Sequence, residues 1–440
     1  MKRERSMPES RQSQTIHVGL LLSLCMIALQ AGSASAQLPS ASPAVLSTGN
    51  NYTALARGFT AIGLNPAGLG MPDNPGFSLA LVPVQIRLGV APLTLTDILD
   101  VEGEVVPVAT KTDWLNRITE AGGLNTRAGF DVTPLALTAG RVGFQVSTVG
   151  QASANLSPDA LELVLFGNAG LNGTARDLTL AGTRVDGWAA TTAAVSFGTP
   201  VGNVIGQNFA VGMTVKHTVG HVLVMGRDAG SIIGSNPVEL DVSFPSIGPG
   251  DDLDADNGTG LGLDVGGAWE GGKWAVGVAI QNVFNTFEWD LDGFVYRSGE
   301  ALVNDTLTAS DNFDLEQPIT NAPAALREEA LGQSFKPAFA VGAAYRASGK
   351  LTLMADARRD TGGALVSVEK SHVGVGVEFR PIGMLPLRGG ISRVSGGRTQ
   401  FSAGLGLVLG PVNFSAGVLT ETGSKGEYAV GSFALSFAHH

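Results

Sequence analysis

The chain has 440 residues, of which 44% are hydrophobic and only 15% charged, with 60 glycines and a formal net charge of −11. Soluble globular chains carry about 25% charged residues and disordered chains are rich in charge and poor in apolar residues, so neither class fits. The acidic balance offers no basic surface for nucleic acid, and no apolar run beyond the N-terminus is long enough for a spanning helix.

The N-terminus reads as an export signal. Lys2, Arg3, Arg5 and Arg11 give a basic start, Val18 to Ala31 an apolar core, and Ala34-Ser35-Ala36 a small-residue cleavage site before Gln37. The core is shorter than the roughly 20 residues of a membrane-spanning helix, which places a retained anchor second. Leu24 precedes Cys25 where a lipoprotein signal wants a small residue. Cys25 is the single cysteine, so cleavage after Ala36 leaves a chain without thiol or disulfide chemistry.

Next comes "ARGFTAIGLNPAGLG", Ala56 to Gly70. Ala56 to Leu64 suits one or two helical turns. Asn65-Pro66 stops them, because the residue before proline is pushed out of the α region. From Gly76 to Phe437 the dominant pattern is alternation of bulky apolar with small or polar residues, the period of a strand with two unlike faces. Two short helices interrupt it. In Thr112 to Gly123, Trp114, Leu115 and Ile118 share a side; in Ser157 to Asn168, Ser157 is the expected N-cap and Pro158 opens the first turn. Both suit a cap or hatch at one mouth of a barrel, or equally plain buried loop helices.

His217 and His221 lie on a strand-like run, about 13 Å apart and too far for one metal ion. Residues 226–260 read as a long polar loop. Within it, Asp252, Asp254 and Asp256 have the spacing of the first calcium-loop ligands, but Gly258 falls one place late and Leu263 stands where the closing glutamate belongs. A solvated acidic loop is the preferred reading of Asp251 to Asp256. "GLGLDVG" and "GLGLVLG" alternate within strands and lack the strand-turn-helix setting of a nucleotide loop. Residues 298–334 read as a second long loop.

The strand pattern is clearest near the C-terminus, where segments pair across Gly/Pro turns: 337–346 with 349–358, 371–380 with 385–394, 399–409 with 411–420. Val373, Val375, Val377 and Phe379 share one face against His372, Gly374, Gly376 and Glu378. The segments have the ~10-residue length of a tilted membrane strand. An open sheet edge finds no hydrogen-bond partner in lipid, so a spanning sheet must close. The expectation is an all-β fold, a transmembrane antiparallel β-barrel of about 14 strands. Small residues such as Gly374, Gly376, Gly404 and Gly406 would leave room in its lumen.

Asn65, Pro66, Ala67, Gly68 and Leu69, after a Gly/Ala-rich stretch and before "NPGFSLALVPV" from Asn74, resemble the hatch of FadL-like outer-membrane proteins, transporters of long-chain fatty acids and other hydrophobic compounds. "GVAIQNVFN", Gly277 to Asn285, is similar to strand endings in related barrels. Gly58 stands where members of that family carry an acidic residue. The resemblance implies a signal peptide at 1–36, an N-terminal plug at 37–75 that includes Gly58, Asn65, Pro66, Ala67 and Gly68, and a transmembrane barrel at 76–440. It also implies the outer membrane of a Gram-negative-type bacterium, with the lipid bilayer, lipopolysaccharide, hydrophobic small molecules and the barrel assembly machinery as partners. That machinery reads an aromatic residue closing the last strand; here Phe437 stands nearest the end, followed by Ala438-His439-His440, a departure from the pattern. No cofactor, metal or catalytic residue is expected, and no enzyme activity. The alternative is a structural or secretion/assembly accessory barrel without transport.

Overall fold

The structure, a computed structural model, describes residues 38–439 apart from 205–206, 236–237, 251–254, 305–308, 362–364, 366–370 and 423–425. The expected signal peptide and Asp251, Asp252 and Asp254 lie outside the described residues, while Asp256 is exposed. Fourteen long strands run in order: β1 (Phe77–Ala91), β2 (Leu124–Ala139), β3 (Val142–Leu156), β4 (Arg184–Val204), β5 (Gln207–Arg227), β6 (Gly258–Gly271), β7 (Trp274–Asn285), β8 (Ala338–Ser348), β9 (Leu351–Asp360), β10 (Ser371–Phe379), β11 (Leu387–Val394), β12 (Thr399–Leu409), β13 (Val412–Thr422) and β14 (Glu427–His439). Each pairs antiparallel with the next, and β1 pairs with β14 from Phe77↔His439 to Val90↔Glu427. The expected fourteen-stranded antiparallel barrel is therefore closed, as a sheet in lipid must be.

Alternation sorts the side chains. Val373, Val375, Phe401, Leu405, Val418 and Phe433 point outward and are exposed, the apolar band that faces lipid. His372, Ser392, Gln400 and Ser436 face inward and are buried. Tight hairpins join strands at one mouth. Gly140, Gly272 and Gly410 open two-residue turns with φ of 57°, 59° and 61°, the left-handed conformation such turns require of their first residue.

The long connections gather at the other mouth. The first carries α3 (Leu95–Leu99) and α4 (Val108–Ala121), the second α5 (Pro158–Phe166) and the fourth α6 (Ala324–Leu331), with α1 and α2 lying upstream of the barrel at Pro43–Ser47 and Phe59–Leu64. Trp114, Leu115 and Ile118 of α4 are buried with Leu161 of α5, and Ser157 Oγ accepts from Ala160 N as the α5 cap. The two polar intervals expected as plain loops are more ordered than that. Their segments 232–235, 238–243, 300–304 and 309–312 join 178–179 in a separate five-stranded sheet. β4 and β5 have 21 residues each, about twice what a bilayer needs, and carry the wall out toward these connections.

The ladder of the wall is interrupted between β6 and β7, where the register runs from Leu263↔Phe284 to Val265↔Ile280, and again between β1 and β2. The β1–β2 register runs from Leu81↔Leu135 directly to Val84↔Val132, leaving Val82-Pro83 opposite Thr133-Pro134 without ladder partners. Neither proline has an N–H to give, and Val82 has a φ of 46°, rare for a β-branched residue.

Candidate functional site: the filled lumen

Residues 38–75 lie inside the barrel. Glycines of β3 to β8 and β10 to β13 abut them so closely that a Cβ on Gly198 would sit 2.6 Å from Pro66 O, and one on Gly376 2.6 Å from Thr48 O. The other strands reach them through side chains: Ser78 of β1, Ala136 of β2, Asp356 of β9 and Val430 of β14. A segment that touches every strand of a closed barrel can only be in its lumen. Gly374, Gly376 and Gly404 meet Asn51, Thr48 and Ser47 of this segment, whereas Gly406 faces Pro386 and Arg388 instead.

The motif residues build the segment's core. Gly58 has a φ of 54° and precedes α2; its N–H donates to Asn74 Oδ1 at 2.8 Å, and a Cβ there would meet Ser78 Oγ at 2.6 Å. Any side chain at this position, acidic or not, would be strained. Asn65 is extended (φ −155°, ψ 97°), as the following proline demands. Its Oδ1 accepts from Ala67 N at 3.2 Å and caps the turn Pro66–Gly70. Its Nδ2 donates to Thr53 O at 3.3 Å and to Gly267 O of the wall at 3.1 Å. Ala67 is buried against Ala210 and Ala268, and Gly68 lies against Ala56 O. The sequence stretch is thus a turn that joins two parts of the segment to β6.

Further hydrogen bonds seat the segment. Asp356 Oδ2 accepts from Tyr52 N at 3.1 Å and Thr53 N at 2.9 Å. Gln281 donates to Gly63 O at 2.7 Å, Gln145 to Pro39 O at 2.8 Å, and Ser402 Oγ to Ser47 O at 3.0 Å. A cavity of about 170 Å³ remains between segment and wall. Its lining mixes Val45, Leu46 and Leu419 with Arg87, Asp131 and His372, and it includes Pro83 and Thr133 from the unpaired stretch of β1 and β2. Arg87 and Asp131 are hydrogen-bonded to each other through both carboxylate oxygens. On the adjoining wall, Lys216 Nζ lies 2.5 Å from Asp264 Oδ1 and donates to Asn282 Oδ1 at 2.6 Å, with both charged residues almost fully buried.

Toward the long connections the lumen is filled by side chains. Phe287, Trp289, Phe294, Tyr296 and Phe335 come in from the fourth connection and pack on Trp188, Leu223 and Met225 of β4 and β5. The Phe287 and Trp289 rings meet edge to face at 5.2 Å, and a Cβ on Gly220 would lie 2.5 Å from the Trp289 ring. Beyond that, α3 and α4 are tied by ions. Arg117 Nη2 donates to Asp97 Oδ2 at 2.8 Å, which holds the Asp97 carboxyl below the usual carboxylate range, and Thr94 caps α3 through a reciprocal bond with Asp97.

The two histidines do not share a ligand. His217 Nε2 is 3.1 Å from Thr259 Oγ1, and His221 bonds Thr191 Oγ1 at 2.7 Å and Ala255 O at 2.5 Å. The lumenal aromatics and the Pro83/Pro134 break are features the sequence reading passed over. Proline inside a strand pattern, which marks a bulge or an interrupted ladder, was the available signal for the second.

Among solved structures the chain is similar to the toluene transporter TbuX of Ralstonia pickettii (13% identity, 94% of this chain and 100% of that one, TM-score 0.50). It is also similar to a Pseudomonas aeruginosa FadL homologue (12%, 92% and 100%, TM-score 0.51) and to the Pseudomonas putida toluene transporter TodX (10%, 93% and 99%, TM-score 0.50). At such identities the likeness is one of fold, and the resemblance to FadL-like proteins holds at that level. No curated protein matches the sequence. A family model described as "F plasmid transfer operon, TraF, protein" matches residues 107–357, more than half of the chain, and the chain belongs to that family.

Proposed function

We propose that the protein is an outer-membrane channel for hydrophobic compounds, with the long connections facing outward. The observation that carries this reading is the cavity beside the unpaired stretch of β1 and β2, where Pro83 and Thr133 line the lumen and Leu81 and Val82 are exposed on the lipid side. A solute entering there would pass between lumen and bilayer without crossing polar lipopolysaccharide. The toluene transporters among the structural neighbours support the choice of solute. A dry cavity of roughly 150 Å³ can hold a benzene-sized molecule. The space seen here, about 170 Å³, therefore favours single-ring compounds over a long acyl chain.

The test is uptake of toluene and of oleate by vesicles with a lipopolysaccharide outer leaflet that contain the full chain. Toluene should enter faster than in protein-free vesicles. The double substitution Pro83→Val, Pro134→Val, which restores two ladder donors, should slow that entry about threefold or more, roughly 0.65 kcal/mol on the barrier. Uptake equal to protein-free vesicles would overturn the reading. A second reading, an accessory barrel without transport, is favoured by the family description, which names a plasmid transfer operon. It calls for stable co-purification with other envelope proteins from gently extracted membranes.

A further inference from the structure

Both ends of the lobe between Gly58 and Pro72 close on one set of charges. Arg57 stands just before α2, and Asp73 just after the Asn65-Pro66 turn. Arg57 Nε donates to Asp73, and its Nη2 lies 3.3 Å from Glu270 Oε2. Arg346 donates to the same Glu270, and its Nη2 is 3.0 Å from Asp73 Oδ2. The four residues form a closed ring of alternating sign. Two belong to the lumenal segment. The other two belong to the wall, Glu270 near the end of β6 and Arg346 near the end of β8, both beside tight hairpins. The ring therefore sits at the mouth opposite the long connections.

Among the described residues, these ion pairs are the ionic ties between segment and wall; the others are hydrogen bonds, His372 to Asn51 and Gln281 to Gly63 among them, and contacts with apolar residues and glycine. The ring is also graded in exposure. The Arg57 and Glu270 side chains are 12% and 16% exposed, those of Arg346 and Asp73 36% and 42%. Its outer half is open to ions, and the range of a charge falls from about 30 Å at 0.01 M salt to about 3 Å at 1 M. Opening the ring at Arg346 leaves Asp73 and Glu270, two like charges, competing for Arg57.

We propose that this ring is an electrostatic latch that holds the Gly58–Pro72 lobe in the lumen and frees it when its charges are screened or displaced. Residues 38–56, which carry no charge and are seated on Asp356 and Ser402, stay in place. The inference holds whichever solute the barrel passes, because its readout is the position of the lobe and not transport.

The test uses the full chain with Cys25→Ser, reconstituted in vesicles, and a membrane-impermeant maleimide. Ala61 is fully buried against Ala56 and Leu69, so Ala61→Cys reacts only when the lobe leaves. Ser47→Cys, buried in the seat, is the control. Labelling at Ala61→Cys should rise about tenfold between 0.01 M and 1 M NaCl, while Ser47→Cys stays unreactive. Arg346→Met should raise the low-salt rate by a similar factor and flatten the salt dependence; Arg346→Lys should restore it. Thr60→Cys, nearly isosteric and also buried, carries the measurement where Ala61→Cys does not fold. A labelling rate independent of salt, or an Arg346→Met protein with the wild-type salt dependence, overturns the latch. So does equal release of both cysteines.

Discussion

The two fillings of the lumen are built by opposite means. Near the tight hairpins, backbone lies on backbone: wall glycines admit the segment 38–75, and amide and carboxylate groups satisfy its N–H and C=O groups. Near the long connections, large rings fill the space and the wall supplies Trp188, Leu223 and Met225. Close packing penalises a size change in either direction, but the harmful direction differs. The aromatic filling is vulnerable to loss of volume and the glycine seat to its gain.

Trp289→Ala should be the most damaging of the substitutions compared here. It removes a 3% exposed indole that packs on Phe287 and Phe294, a loss of about 3–5 kcal/mol. Protease protection of residues 286–335 should fall in proportion while the strand signal in circular dichroism persists. Unchanged protection would show that the rings are not what closes this end.

Gly212→Val tests the other filling. A Cβ there would meet the Pro66 carbonyl, and adding bulk to a packed interior costs about 1–3 kcal/mol. The expected outcome is proteolysis of residues 38–75 with residues 286–335 still protected. Loss of protection in both regions together would show that the two fillings are one cooperative unit.

Outside both fillings the effects shrink. Phe437 lies half-exposed near the tight-hairpin end of β14, paired with Leu79 and Val412. Phe437→Asp should cost about 1 kcal/mol, the penalty of a charge near the interface, and lower the yield of folded barrel on semi-denaturing gels. A wild-type yield would place Phe437 away from lipid.

The smallest effect belongs to the ion pair above the aromatic filling. The Asp97 carboxyl is held low by Arg117. A depressed carboxyl stabilises the fold above its unfolded value, near 4, and the contribution is lost as pH falls through the lower folded value. For a partly exposed pair this amounts to no more than about 1 kcal/mol. Amide exchange in residues 92–123 should quicken below about pH 4, and Asp97→Asn should remove that acid-dependent step. Identical profiles for the two proteins would remove the pair from the account.

The wall was legible because alternation is local: Val373 to Phe379 and Phe401 to Leu409 declare their two faces without reference to any partner. The 65–70 turn was legible for the same reason, since Asn65-Pro66 constrains its own backbone. The small second sheet was not. Its segment 238–243 pairs with 300–304, and such polar strands gain their identity only from a partner far along the chain. The lumenal aromatics and the ring of Arg57, Asp73, Glu270 and Arg346 are likewise assembled from distant positions. The length of β4 and β5 was obscured by register shifts at Ala189/Ala190 and Pro200/Gly202, where the alternation changes phase.

The seam between β1 and β14 has a consequence for biogenesis. The strand that follows the lumenal segment pairs with β14, from Phe77↔His439 onward. Until β14 is in place, the wall has two free edges and encloses nothing. Residues 38–75 must therefore wait for β14 before they have a container. They either lie in the open sheet as it curls, held by the glycines of β3 to β8, or are drawn in as the seam zips shut. A chain truncated before Glu427 would leave residues 38–75 outside any closed wall, however well those residues fold.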